Sequence, residues 1–211
     1  IIIMNKQQII ANFDPSQPGL ADATIFGLPF SIEQSEIVII PVPWEVTVSY
    51  GGGTANGPQA ILDASYQVDL YDPFIKNAWH LGIAMDEISE EVKIKSNTNR
   101  KAAENYINEL ANGVNQSNPN LLNIANSILI DCEWLNNWVK QKCLHYLNLN
   151  KTIGLIGGDH STPLGMMQAL AEKYNEFAIL QIDAHADLRN AYEGFKYSHA
   201  SIMYNALKIK Q

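Results

Sequence analysis

Apolar runs alternate with amphipathic segments along most of the chain. Residues 36–42 and 151–156 are apolar on both faces, as expected of parallel strands covered by helices. Residues 177–182 form a third run of this kind, and residues 79–85 are a weaker strand candidate. Strand, helix and strand at this spacing indicate a right-handed βαβ unit. The pattern therefore predicts an α/β fold with a mostly parallel sheet between helices.

Helical periodicity fills the segments between these strands. It predicts helices over residues 58–66, 100–112, 120–147 and 163–174. Proline suits the first turn of the first and last of these helices, and Thr98 or Asn99 is placed to cap the second. Residues 1–35 contain several prolines and glycines, and we expect them to form an N-terminal arm. Residues 36–211 are then one domain with a substantial core.

Composition narrows the class of protein. With 46% hydrophobic and 17% charged residues, the 211-residue chain is typical of a globular protein. A net charge of -8 argues against nucleic-acid binding, and no apolar run reaches membrane-spanning length. The apolar residues 1–3 are too few for a secretory signal, so we expect a cytoplasmic protein. Cys132 and Cys143 are then two buried thiols in a reducing compartment.

A cluster of metal-binding side chains follows the run at residues 177–182. In an extended backbone, Asp183, His185 and Asp187 would point to the same side. His160 follows the strand at residues 151–156, within the sequence Gly-Gly-Asp-His. Because ligands gather at the carboxyl ends of parallel strands, we expect His160 near this cluster. Carboxylates and imidazoles suit a borderline or hard divalent cation, so the sequence predicts a metal site.

A glycine-rich loop, residues 49–58, follows the first strand. It matches neither the dinucleotide-binding pattern GxGxxG nor the phosphate-binding pattern GxxxxGK[ST], so the sequence gives little support to phosphate binding. We expect instead a loop at the rim of the metal site.

Together, GGDH at residues 157–160 and DxHxD at residues 183–187 resemble the ureohydrolase family, which includes arginases, agmatinases, guanidinobutyrases and formimidoylglutamases. The resemblance extends from about Val38 to the end of the chain. Residues 187–201 are more similar to agmatinase-type members than to arginases, and a guanidine-hydrolysing branch has a similar loop. The resemblance implies a three-layer arginase-like fold and a cytoplasmic hydrolase of polyamine or arginine metabolism. It also implies a homo-oligomer acting on a small guanidino substrate.

The resemblance also implies a centre with two metal ions. His160, Asp183 and Asp187 would hold one manganese, and Asp183 would bridge to a second manganese that His185 also binds. Nickel fits the same ligands. A hydroxide between the two metals would attack the guanidinium carbon of an agmatine-like substrate and release urea and an amine.

Other residues receive roles by the same resemblance. His199 matches the family's loop histidine, which transfers a proton to the leaving amine. Asp159 would orient its neighbours around the metals. Tyr192, Glu193 and Tyr197 are candidates for contacts that select the substrate.

The chain departs from the family in one respect. The family places a further motif, roughly SxDxDxxDP, after the loop histidine, and its aspartates complete both metal shells; the chain contains no such motif. The resemblance therefore predicts a catalytic domain, residues 36–211, that is incomplete at its C-terminus and inactive by itself. A non-catalytic ureohydrolase-like module is the alternative. Metallophosphoesterases also use a DxH element, but the GNHD that they require is absent.

Overall fold

The structure, a computed structural model, describes residues 4–19, 23–48 and 50–210. Residues 1–3, discussed above as a possible secretory signal, lie outside the described residues. So do residues 20–22 of the predicted arm, Ser49 at the start of the glycine-rich loop, and Gln211.

Three parallel strands form the sheet. They are β1 (Ile37–Val42), β2 (Ile83–Met85) and β3 (Thr152–Gly157), in the order β2-β1-β3. In both ladders β1 is the shared strand, and Ile37 is in register with residue 83 on one side and residue 152 on the other. Helices flank this sheet, which confirms the predicted α/β class with parallel pairing. The carboxyl ends of all three strands therefore open at the same edge.

Six helices accompany these strands in the described part of the chain. They are α1 (Lys6–Asn12), α2 (Gly57–Ser65), α3 (Glu90–Ala111), α4 (Pro119–Asn148), α5 (Leu164–Lys173) and α6 (Ile202–Ala206). Short 3-10 turns occur at Ile25–Gly27, Thr54–Asn56, Ala78–Leu81 and His199–Ser201. α4 contacts both neighbouring helices, α3 and α5, and also β1 and β3. Helices α2, α4 and α5 agree with the sequence prediction to within a few residues.

The main core lies between β1 and α4. Val38, Ile40 and Val42 of β1 are fully buried in the same apolar cluster as Cys132 and Cys143 of α4. Both thiols are free, as predicted. Burial raises the pKa of each thiol, that of Cys143 to about 12, so neither is a reactive thiolate. In the described ranges, no helix combines the length and hydropathy needed to cross a membrane.

Helix α3 begins earlier than the sequence predicted. Ser89 is its N-cap and accepts a hydrogen bond from the Val92 amide at 3.3 Å, and two glutamates in the first turn favour the helix dipole. The predicted caps, Thr98 and Asn99, lie inside the helix. Their side chains donate to backbone carbonyl groups four residues earlier, at 2.9 Å each. The predicted start at residue 100 is therefore wrong.

The candidate strand at residues 79–85 is shorter than predicted. A 3-10 turn occupies Ala78–Leu81, and Gly82, with a φ of 68°, separates it from β2. Trp79 packs edge-on against Phe13 at 5.1 Å, in a second apolar cluster that includes Ile9 of α1. The N-terminal residues are thereby attached to the sheet domain, while the boundary at residue 35 stays a prediction.

The predicted buried strand at residues 177–182 is wrong for this structure. The segment is an irregular coil, with Leu180 86% and Ile182 92% exposed. Within the described residues, β3 pairs only with β1, so β3 is an edge strand and its outer side has no partner strand. A strand gains stability from ladder hydrogen bonds and from cover on its faces, and this segment has neither. Of the predicted βαβ unit, β3 and α5 are formed.

Candidate metal centre

His160 is positioned by the loop that follows β3. The loop passes close to the chain that follows β1, because a Cβ at Gly158 would overlap the backbone of Trp44. The Asp159 amide donates to the Trp44 carbonyl oxygen at 2.9 Å, which fixes this approach. Glycine is needed here because no side chain fits between the two backbones. The backbone that carries His160 is therefore held at the carboxyl edge of the sheet.

Asp159 joins two loops through its carboxylate. One oxygen accepts a hydrogen bond from the Val46 amide at 3.1 Å, and the other accepts one from the Ser161 amide at 2.9 Å. The side chain is buried, so these bonds replace the water that it loses. These contacts brace the backbone around His160, and the predicted role of Asp159 toward a metal stays a prediction.

Three of the four predicted ligands come together. His160 Nδ1 lies 2.6 Å from an Asp187 carboxylate oxygen and 3.4 Å from one of Asp183. One ligand atom from each residue can be chosen so that all three lie within 4.8 Å of one another. An imidazole nitrogen with two carboxylate oxygens is a donor set that manganese, zinc or nickel accepts. A divalent cation would replace the short contact between His160 and Asp187.

His185 lies outside this group. Its side chain is 81% exposed, and its Nδ1 is 3.8 Å from the Asp183 carboxylate. The His185 amide donates to Asp183 at 2.9 Å and, with the nearby imidazoles of His160 and His185, lowers the pKa of the Asp183 carboxyl. The segment is not an extended strand, and Asp187 has a left-handed φ of 48°. The expected alternation therefore does not decide where these side chains point.

The ligand loop is tied to the segment that carries His199. The Asp187 carbonyl oxygen accepts hydrogen bonds from the Met203 and Tyr204 amides at 3.1 and 3.3 Å, and the Arg189 amide donates to the Ala200 carbonyl oxygen.

His199 lines a cavity of about 680 Å³ together with His185, Asp187 and Arg189. His199 therefore shares a cavity with two of the predicted metal ligands, and its predicted role in proton transfer stays a prediction.

Glu45, which is buried, pairs with the partly buried Arg100 at 3.8 Å, and the sequence analysis assigned neither residue. Glu45 is 5% exposed, and one of its oxygens accepts hydrogen bonds from the Gly53 amide, the Thr54 hydroxyl and the Ala55 amide at 2.7–3.1 Å. Burial alone would raise the pKa of Glu45, but these bonds and the Arg100 guanidinium outweigh it and hold the pKa below its usual value.

The Glu45–Arg100 pair shapes the loop after β1. Arg100 donates to the carbonyl oxygens of Val46 and Val48, and Thr47, between them, accepts a hydrogen bond from the His199 amide at 3.3 Å. The chain directly after β1 thus reaches the His199 segment, while the rim position predicted for residues 49–58 stays a prediction. A glutamate between two apolar residues, directly after a buried strand, was the available signal.

Comparison with known proteins gives consistent matches. Residues 35–211 match the model of the arginase family. The chain is 29% identical to an N(1)-aminopropylagmatine ureohydrolase of Thermus thermophilus, over 83% of this chain and 48% of that protein. It is 30% identical to an agmatinase of Bacillus anthracis, over 81% of this chain and 47% of that protein. The chain spans about half the length of the curated relatives that it matches.

A solved structure shares the fold. The agmatine ureohydrolase of Thermoplasma volcanium superposes with a TM-score of 0.61 at 21% identity, over 96% of this chain and 54% of that chain. This likeness confirms the predicted arginase-like fold.

Proposed function

Since this chain belongs to the arginase family, we propose that the protein hydrolyses the C–N bond of a small guanidino compound, with urea and an amine as products. The observation that carries the proposal is the convergence of His160, Asp183 and Asp187 at the carboxyl edge of the sheet. These are side chains of the kind that bind divalent cations, and they come from two separate loops.

We assign the first cation to His160, Asp183 and Asp187, and a second to Asp183 and His185. Two manganese ions are the proposed occupants, and nickel fits the same donors. When bound, such cations lower the pKa of water and supply hydroxide near neutral pH. The exposed ring of His185 is free to turn toward a cation, because the Asp183 contact holds it only through its backbone amide.

His199 is the proposed proton donor to the departing amine. His199 lines the cavity beside Asp187, and its backbone amide donates to Thr47. An imidazole both donates and accepts protons, so this side chain is able to give a proton to the amine and regain one from solvent.

An agmatine-like compound is the proposed substrate. It is supported by the printed activities of the matched relatives, which are an N(1)-aminopropylagmatine ureohydrolase and agmatinases. Guanidine or a guanidino acid is the alternative within the family. We further propose a cytoplasmic homo-oligomer without nucleic-acid or membrane partners; the free buried thiols fit a reducing compartment.

A non-catalytic role for the chain by itself is the second candidate. It is favoured by the position of His185 outside the ligand group. A site that lacks ligands for the second cation would bind one cation, and the chemistry that requires two cations would be absent.

Urea release from the full-length gene product tests the function. After incubation with Mn²⁺, we expect urea from agmatine or N(1)-aminopropylagmatine at a higher rate than from 4-guanidinobutyrate, arginine or guanidine, and none after chelation. Asp183→Asn should reduce metal content and activity most among the ligand variants, because this residue would touch both cations. The absence of urea from every substrate would overturn the proposal, and full activity in Asp183→Asn would overturn the bridging role.

A further inference from the structure

Glu193 lies in a tight turn next to the cavity. Tyr192 and Phe195 exchange two backbone hydrogen bonds, at 3.1 and 2.8 Å, across the two residues between them. The two residues between them, Glu193 and Gly194, have left-handed backbones, with φ values of 50° and 86°. Glycine adopts this conformation readily, whereas glutamate does so only when its surroundings enforce it.

The surroundings of this turn do enforce it. Phe195 is 3% exposed and packs on the Tyr106 ring of α3 at 4.9 Å. A Cβ at Gly194 would overlap the side chains of Tyr106 and Gln116, so the turn is pressed against its neighbours. Backbone strain held by such packing is concentrated at functional sites. The backbone of Glu193 is thus held in place by the fold.

Two buried polar atoms occur together beside this turn. Within the ranges that the structure describes, Glu193 Oε2 and His199 Nδ1 are buried and have no hydrogen-bond partner. Tyr192, adjacent to Glu193, packs edge-on against the His199 ring with centroids 5.6 Å apart. A buried donor or acceptor without a partner is costly, and a hydrogen bond between these two atoms would satisfy both.

The charged groups near Glu193 and His199 differ in what they contact. Burial raises the pKa of the Glu193 carboxyl, and the nearby His199 imidazole opposes this effect. The Arg189 guanidinium instead lies over the Tyr192 ring, 5.2 Å from its centroid, while His185 and Asp187 line the cavity with His199. Glu193 is therefore a partly buried carboxylate close enough to His199 for their charges to interact, and Asp187 and His185 share the cavity with His199.

We propose that Glu193 is a positioning residue that accepts a hydrogen bond from His199 Nδ1 when one side chain rotates toward the other. The bond keeps the proton of the neutral ring on Nδ1 and directs Nε2 into the cavity. The inference rests on the proposed function to the extent that His199 is the proton donor. A fixed ring presents the same nitrogen in every turnover.

Nitrogen NMR of the histidine rings tests the pairing without any assay of activity. The full chain, labelled with ¹⁵N-histidine and loaded with diamagnetic Mg²⁺, would be compared with Glu193→Leu and Glu193→Gln, and His199→Gln would identify the signals of His199. We expect a protonated Nδ1 in the wild type and in Glu193→Gln, whose amide oxygen still accepts the bond. Glu193→Leu should lose this preference. The same His199 tautomer in the wild type and Glu193→Leu would overturn the proposal.

Kinetics of the active full-length protein give the second measurement. Glu193→Leu should lower kcat by about 10–100-fold with little change in KM, and Glu193→Gln should lower it less. Glu176→Leu, which replaces an exposed glutamate, is the control and should change neither the tautomer nor kcat. An unchanged kcat in Glu193→Leu would also overturn the proposal. If the wild type releases no urea but its tautomer depends on Glu193, the pairing stands and only the proposed function fails.

Discussion

Replacing Glu45 with alanine tests whether one buried carboxylate organises the loop after β1. The change leaves the Gly53 amide, the Thr54 hydroxyl and the Ala55 amide without the oxygen to which they donate. It also removes the other carboxylate oxygen, 3.8 Å from the guanidinium of the partly buried Arg100, and leaves Arg100 paired only with the exposed Glu104 among these two carboxylates. Arg100 retains its bonds to backbone carbonyl groups, so the helix that carries it should persist.

The structure sets the size of the effect. Each hydrogen bond to a charged acceptor stabilises by about 1.5–3 kcal/mol, but two of the three donors lie at an exposed loop and regain water when the carboxylate is removed. Arg100 is partly exposed and keeps its pair with Glu104, so we expect a loss of about 1.5–3 kcal/mol in the free energy of unfolding, the range for hydrogen bonds to a charged group. Glu45→Gln keeps an acceptor oxygen and should cost about 1–2 kcal/mol.

The effect should depend on pH. The folded-state pKa of Glu45 lies below the value of about 4.3 expected in the unfolded chain. The stabilisation is therefore fully present above pH ~4.3 and is lost as the pH falls through the lower folded-state pKa. The difference between wild type and Glu45→Ala should be constant at neutral pH and shrink in acid.

Urea denaturation at pH 7 and at steps down to acid measures both effects. Glu104→Gln is the matched control, because Glu104 pairs with the same Arg100 at 2.9 Å but is 52% exposed, and it should cost less than about 1 kcal/mol. A loss below about 1 kcal/mol in Glu45→Ala, or a loss that does not change with pH, would refute the reasoning.

Two further predictions concern stability. Gly158→Ala should reduce the free energy of unfolding by about 1–3 kcal/mol in urea denaturation, because its Cβ would overlap the Trp44 backbone; an unchanged midpoint would contradict the close approach. Asp86→Asn should cost about 1–3 kcal/mol at pH 7, because Lys142 donates to this carboxylate at 2.9 Å. Burial alone would raise the pKa of Asp86, but bonds from Lys142 and Tyr146 hold it low, so this loss should disappear in acid.

Much of the fold follows from local sequence patterns. The fully buried alternate residues of β1 and the long periodic stretch of α4 are recognisable because each element is buried in a way that its own residues specify. Residues 177–182 have the composition of a buried strand, but strand formation requires a partner that composition does not supply. The early start of α3 was missed because Ser89 precedes a polar first turn, where no apolar periodicity marks the helix.

The site could be predicted only in part. The rule that parallel strands end at one edge places His160 near Asp183 and Asp187, and the structure agrees although the second segment is not a strand. The partners of Glu45 and Glu193 depend on tertiary contacts with distant segments, which periodicity does not report. The left-handed backbones of Asp187 and Glu193 were equally hidden, because neither residue is glycine.

Titration of Mn²⁺ into the wild-type protein and Asp187→Asn tests the central claim most directly. Asparagine tolerates the left-handed backbone of Asp187, so the variant removes the charge and retains the fold. Asp63→Asn, on α2, is the control because Asp63 is not among the predicted ligands and accepts a side-chain bond from Gln59. We expect calorimetric Mn²⁺ binding in the wild type and the control, and at least about 10-fold weaker binding in Asp187→Asn. Equal Mn²⁺ affinity in all three proteins would contradict a metal centre at His160, Asp183 and Asp187.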